Sequence, residues 1–229
     1  MIHTEKHLRD SAFITDIVIG MSDGLTVPFA LAAGISSAVS DNHIVITAGI
    51  AEIIAGSIAM GLGGYLAGRT EVEHYHSELK REWEEVETVP EKEKEEVKEV
   101  FADYGFSEES QHMLVEELCK DKKKWVDFMM KFELGLEEPN ANRATQSALT
   151  IGVSYIVGGT IPLLPYFFTD TPFAGLEISA IITLICLFAF GYFKSKATGQ
   201  PLFTGALKVM AIGAAAAAAA FLVAKLIGG

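Results

Sequence analysis

Five stretches of this chain, at about 12–39, 44–68, 146–168, 174–193 and 203–227, are apolar over the length a helix needs to cross a bilayer's hydrocarbon core, roughly 20 residues. Lipid cannot hydrogen-bond a bare backbone, so such segments are restricted to helices that satisfy their own amides. An odd number of spans puts the termini on opposite faces. The connections at 40–43 and 169–173 contain no Lys or Arg, whereas Lys6 and Arg9 precede the first span, Lys194 and Lys196 follow the fourth, and the region between spans two and three is rich in both. The positive-inside rule therefore assigns the N-terminus and that region to the cytosol, with Lys225 as a minor dissent. Residues 1–9 lack the apolar core and cleavage site of a signal peptide, so the first span reads as an uncleaved anchor.

The chain is both greasy and acidic: of 229 residues 50% are hydrophobic, yet the formal charge is −12. The two properties are segregated. Residues 69–144 carry 12 of the 18 basic and 22 of the 30 acidic side chains, a net of −10. The expected organisation is thus spans one and two over 1–68, an acidic helical cytosolic domain over 69–144, and spans three to five over 145–229. An acidic insert excludes a nucleic-acid partner, whose phosphates need a basic footprint, and favours cations. Cys119 falls in the insert and Cys186 in an apolar run, so no disulfide framework is indicated.

Charge inside the spans is the sharper clue. Asp23 sits in Gly-Met-Ser-Asp23-Gly-Leu-Thr-Val-Pro28, with Asp16 seven residues earlier, hence on the same helical face. The second span adds Glu52 and Met60, which line one broad face. An intramembrane carboxylate persists only if it pairs, meets water, or handles a cation or proton. Pro28 removes a helix hydrogen bond close to Asp23, giving the first span a place to bend. Gly61, Gly63, Gly64 and Gly68 in span two, Gly158 and Gly159 in span three, and Ala214 to Ala220 in span five suit close helix approach.

In the insert, the second helix is expected to run on to about Glu87. Thr88 and Glu91 have capping-box spacing for the next helix, Gly105 ends that helix, and Ser107 and Asp121 cap two more. The last carries Trp125, Phe128, Met129, Phe132 and Leu136 at helical spacing. Glu82/Glu85 and Glu93/Glu96 are i,i+3 pairs that juxtapose like charges, and Met129 with Glu133 could add a thioether and a further carboxylate. Carboxylates alone suit Mg²⁺ or Ca²⁺; sulfur in the same shell tilts the choice toward Fe²⁺. Glu-rich helices are ordinarily solvated faces, so spacing alone leaves this reading open.

The Asp23-Gly-Leu-Thr-Val-Pro-Phe-Ala-Leu-Ala-Ala-Gly run, the Glu52 to Met60-Gly-Leu-Gly-Gly-Tyr-Leu-Ala run and the Glu-rich insert together resemble the vacuolar iron transporters, the family that includes the yeast vacuolar iron and manganese importer. The likeness covers essentially the whole chain. It implies an all-α membrane homodimer of five-span subunits that exchanges Fe²⁺ for protons at the vacuolar membrane, storing the metal and detoxifying the cytosol. It further implies an ion path lined by Asp23, Glu52 and Met60, to which the shared helical face adds Asp16. The cytosolic metal site implied is Glu82, Glu85, Glu93, Glu96, Met129 and Glu133. Mn²⁺, Co²⁺ and Zn²⁺ fit the same ligands. Implied partners are lipid, divalent metal ions, protons and a second subunit.

Two other classes compete with this non-enzymatic reading. Glu73-His74-Tyr-His76 and Glu109-Ser-Gln-His112 both contain Glu-x-x-His, the ligand spacing of di-iron carboxylate bundles, so a membrane-anchored ferroxidase is conceivable. A metal sensor or buffer would need only the insert; it would have no need of Asp23 or Glu52. His3, His7 and His43 read as surface histidines.

Overall fold

The computed structural model describes residues 7–228, with side chains from 12 to 227. Lys6, Arg9, His3, His7 and the anchor reading of the first residues lie outside the described side chains. The described residues are helical and contain no strand. The order is α1 (His7–Ser36), α2 (Asn42–Thr88), α3 (Pro90–Asp103), α4 (Glu108–Leu118), α5 (Lys122–Phe128), a π-helical turn (Met129–Glu133), α6 (Arg143–Leu163), a 3-10 turn (Leu164–Phe167), α7 (Pro172–Ala197) and α8 (Leu202–Gly228). Five of these helices are long and apolar enough to span a membrane: Ala12–Ser36, Asn42–Thr88, Arg143–Phe167, Pro172–Ala197 and Leu202–Ile227. The chain forms two compact units, one comprising Met1–Tyr65 with Thr145–Gly229 and the other Leu66–Ala144.

In the first unit glycine sets the packing. A Cβ on Gly24 would stand 2.9 Å from the Cα of Tyr155 and closer still to its carbonyl oxygen, and one on Gly158 would stand 3.0 Å from the amide nitrogen of Leu25. Helices α1 and α6 therefore cross backbone to backbone. Gly61 and Gly64 bring α2 equally near α6, at Ala148 and Ser147. Helices α7 and α8 pair in the same manner, with Gly191 against Ala206. Without a hydrophobic drive between helices in lipid, such close approach is what van der Waals association requires. Gly24→Ala should accordingly lower stability by about 1–3 kcal/mol, the usual range for overpacking. Gly34→Ala, whose nearest neighbour would lie 3.2 Å away at Ala220, should cost less. Thermal unfolding of the two variants in detergent compares them.

Polar groups close the helix ends. Asn42 donates from Nδ2 to the carbonyl of Thr169, and the Ser36 hydroxyl meets the Tyr166 hydroxyl at 3.0 Å, tying the α1–α2 turn to the segment after α6. Helix α1 continues through Pro28, and α6 carries Pro162 one residue from its end.

The second unit has its own core, formed by Val86, Val97, Val115, Trp125, Val126, Met129 and Met130. Ser107 caps α4 by accepting from the Ser110 amide, and Asp121 caps α5 by accepting from those of Lys123 and Lys124. Gly105, at φ 83, ends the turn after α3 in a conformation that suits glycine. Two expectations need correction. The N-cap of α3 is Val89, with no side-chain cap and Pro90 in the first turn. Thr88 instead donates back to the Glu84 carbonyl at 2.7 Å, so no capping box forms. The helix through Trp125 and Leu136 is also not continuous: the Leu134 amide reaches the Met129 carbonyl, five residues back, at 3.1 Å. Met129 is fully buried there, while Phe132 is 46% exposed.

Candidate functional site

Two sets of carboxylates stand out, one in each unit. In the membrane unit, Asp16 is 3% exposed and accepts from the Ser147 hydroxyl at 3.0 Å. The Tyr155 hydroxyl donates to one oxygen of Glu52, while the other Glu52 oxygen is buried without a hydrogen-bond partner. Asp23 is half-buried, with no hydrogen bond or ion pair among the described residues, and its chain neighbour Gly24 packs against the backbone of Tyr155. Tyr155 itself is 2% exposed and packs over Gly56. Asp23 on α1, Tyr155 on α6 and Glu52 on α2 are thereby drawn toward one locus. Met60 is half-buried on α2, two turns beyond Glu52.

The second set is denser. Glu82 and Glu85 from α2 and Glu93 from α3 each offer a carboxylate oxygen within 4.8 Å of the others, close enough to share one metal ion. Glu82 is 1% and Glu93 0% exposed, and three of their four oxygens are buried without a hydrogen-bond partner: Oε2 of Glu82 and both of Glu93. Native structures rarely leave such groups unpaired, so a proton or a cation is called for. Nearby cations are few and peripheral. Arg81 reaches Glu82 at only 3.4 Å and Glu85 at 3.5 Å, and Lys92, committed to Glu96 at 2.7 Å, stays 4.0 Å from Glu93.

Burial is the main force raising the Glu93 carboxyl to about 7, reinforced by the negative charges of Glu96, Glu82 and Glu85. The Glu82 carboxyl is raised for the same reason, with Glu85 as its chief charged neighbour and Arg81 opposing. Glu133 is exposed as a residue, yet crowding at its carboxyl, by desolvation and then by Glu96 and Glu82, brings it to about 7. The turn carrying Glu133 packs against α3. Met129, in contrast, is enclosed among Val86, Val97 and Trp125 in the apolar core. Glu93 and Glu133, titrating near neutrality, can exchange protons for a divalent ion at physiological pH, and the upward shift of Glu82 acts in the same sense.

Sequence comparison identifies the frame in which these residues occur. A family profile described as the VIT family matches residues 14–225. The chain belongs to the VIT family. It is 52% identical to "Vacuolar iron transporter 1" of Arabidopsis thaliana over 98% of this chain and 90% of that protein. It is 50% identical to "Vacuolar iron transporter 2" of Oryza sativa subsp. japonica over 97% and 91%. The yeast "Protein CCC1" of Saccharomyces cerevisiae is 40% identical over 96% of this chain and 70% of its own length.

In this VIT-family chain the acidic cluster among the described residues draws on neither Glu-x-x-His motif. Glu73 pairs with Arg69 at 2.7 Å, His74 is 3.8 Å from Glu78, and no histidine belongs to the Glu82/Glu85/Glu93 group. Sequence reasoning missed Ser147 and Tyr155. Their signal was available: each is a hydroxyl in the third span, and a tyrosine in mid-span needs a partner for its O–H.

Proposed function

We propose that this chain is a proton-coupled antiporter that carries Fe²⁺ from the cytosol into the vacuole. The observation that carries the reading is the intramembrane pair: Asp23 with no hydrogen bond or ion pair among the described residues and Glu52 with one bare, buried oxygen, both on helices of membrane-spanning length. Asp23, Glu52 and Met60 would line the path, and Asp16 would flank it. A carboxylate that ligates the metal only when ionised makes Fe²⁺ and H⁺ compete for one group. That competition couples the two fluxes if the site faces one side at a time.

Glu82, Glu85, Glu93, Glu96 and Glu133 would collect metal on the cytosolic side, with Met129 as the softer neighbour. The carboxylates also fit Mn²⁺, Co²⁺ and Zn²⁺. Relatives named as vacuolar iron transporters support iron as substrate and the vacuolar membrane as location. A homodimer is favoured by α2, where Ala51, Ala55, Ala59 and Gly63 form an exposed stripe of small residues at i,i+4 spacing.

The test is metal-driven proton flux in proteoliposomes with an acidic lumen. External Fe²⁺, kept anaerobic, should enter and alkalinise the lumen, and collapsing the proton gradient should stop uptake. Uptake indifferent to the gradient would overturn antiport, and oxygen consumed in step with Fe²⁺ in an aerobic arm would point to a ferroxidase.

A further inference from the structure

A cavity of about 420 Å³ lies where α7 ends and α8 begins, bordered by Lys194, Ser195, Thr198, Gln200, Thr204 and Lys208. The chain builds this corner tightly. The Thr198 hydroxyl folds back on the Lys194 carbonyl at 3.0 Å, Gly199 takes φ 66, and the Gln200 amide reaches the Ser195 carbonyl at 2.8 Å. Ser195 is buried at the place a side chain on Gly205 would occupy, so the two helices meet there at close range.

Charge makes the cavity unusual. In the acidic insert most lysines have a Glu or Asp partner three or four residues away. Lys194 and Lys208 have no ion pair among the described residues. The nearest acid along α7 is Glu177, 17 residues from Lys194, or about 25 Å along a helix. Lys208 lies six residues into a helix of membrane-spanning length, about 9 Å from its start. A cation at that depth needs a counterion or a route to the headgroup layer. Val209 and Ile212 give the cavity an apolar wall beside its polar one.

We infer that this cavity binds a phosphate-bearing anion, held between Lys194 and Lys208 with the hydroxyls of Thr198 and Thr204 as further donors. The phosphate can come from an anionic glycerophospholipid, whose acyl chains would follow Val209 and Ile212, or from a free phosphate. Basic pockets between spans are the recurrent form of headgroup sites.

Native mass spectrometry of the full-length protein, exposed to equal amounts of phosphatidylcholine and phosphatidic acid, tests the site. Two lysines at ~1 kcal/mol each amount to roughly a 30-fold preference for the anionic lipid. Lys194→Gln with Lys208→Gln should abolish the preference, the corresponding arginine pair should restore it, and Lys225→Gln, outside the cavity, should leave it intact. Inorganic phosphate in a parallel arm separates the sources: displacement of the lipid at millimolar phosphate assigns the site to the free anion, and persistence of the lipid assigns it to the headgroup. Equal retention of both lipids together with no lysine-dependent phosphate binding would overturn the inference. So would a preference that survives the double glutamine variant.

Discussion

Proteoliposomes bearing Asp23→Ala should take up Fe²⁺ at no more than about a hundredth of the native rate, a loss equivalent to ~2.7 kcal/mol. The purified variant should nonetheless elute and melt like the native protein. Both halves of this expectation come from the same observation. Asp23 is half-buried and makes no hydrogen bond or ion pair among the described residues, so its removal breaks no polar contact there. A buried charge without a partner disfavours the fold, and its loss is neutral or slightly stabilising. Asp23→Asn should give the same transport defect with even less change in shape. Glu52 differs: Tyr155→Phe would leave both Glu52 oxygens bare and should lower stability as well as alter the pH dependence of uptake. Native uptake by Asp23→Ala would remove Asp23 from the mechanism.

The second large effect is expected in the acidic cluster, and its sign with pH can be worked out. The Glu93 carboxyl titrates at about 7 in the folded protein and near 4.5 when unfolded. Between those values the folded state holds a proton that the unfolded chain has released. The contribution of Glu93 to metal-free stability is therefore full below pH ~4.5 and is lost as pH rises through ~7. Divalent metal should reverse the trend, because it binds the ionised form. At a hundred times its dissociation constant it adds about 2.7 kcal/mol, and more of this is realised at pH 8 than at pH 5.

Both tryptophans, Trp83 and Trp125, lie in the Leu66–Ala144 unit, so intrinsic fluorescence follows this unit specifically. Melts of the native protein from pH 5 to 8, with and without Zn²⁺ as a redox-inert stand-in, should show the falling apo profile and its rescue. Glu82→Gln with Glu93→Gln should flatten the profile, raise the apo midpoint at pH 8 and weaken metal binding by at least about tenfold. A double variant with the native pH profile and native Zn²⁺ response would contradict the assignment.

Much of this was legible in the chain. Spans announce themselves by length and apolarity, and Asp23, Glu52 and the glutamate pairs announce themselves as charges with no obvious reason to be where they are. What escaped notice depends on contacts over long separations. Nothing near Glu52 in sequence points to Tyr155, 103 residues on, and Ser147 is 131 residues from Asp16. Local rules misled in two places. Thr88 has the right spacing for a cap, but its hydroxyl found the Glu84 carbonyl first. Apolar periodicity from Trp125 to Leu136 is read equally well as an uninterrupted α-helix, because one wider turn at Met129–Glu133 leaves little trace in composition. The tightness of the α1–α6 crossing was hinted at by Gly158, yet its partner Gly24 was overshadowed by the acid beside it.

The long reach of the Ser147 and Tyr155 hydrogen bonds also governs how the chain can be made. Asp16 and Glu52 leave the ribosome before the helix that carries their hydroxyl partners exists. At ordinary synthesis rates of ~5–20 residues per second, that interval is roughly 5–25 s. During it the nascent first and second helices present polar groups that only water, the insertion machinery or a chaperone can satisfy. Truncation or ribosome stalling before Tyr155 would thus leave a product with exposed acids in the bilayer, a natural target for membrane quality control.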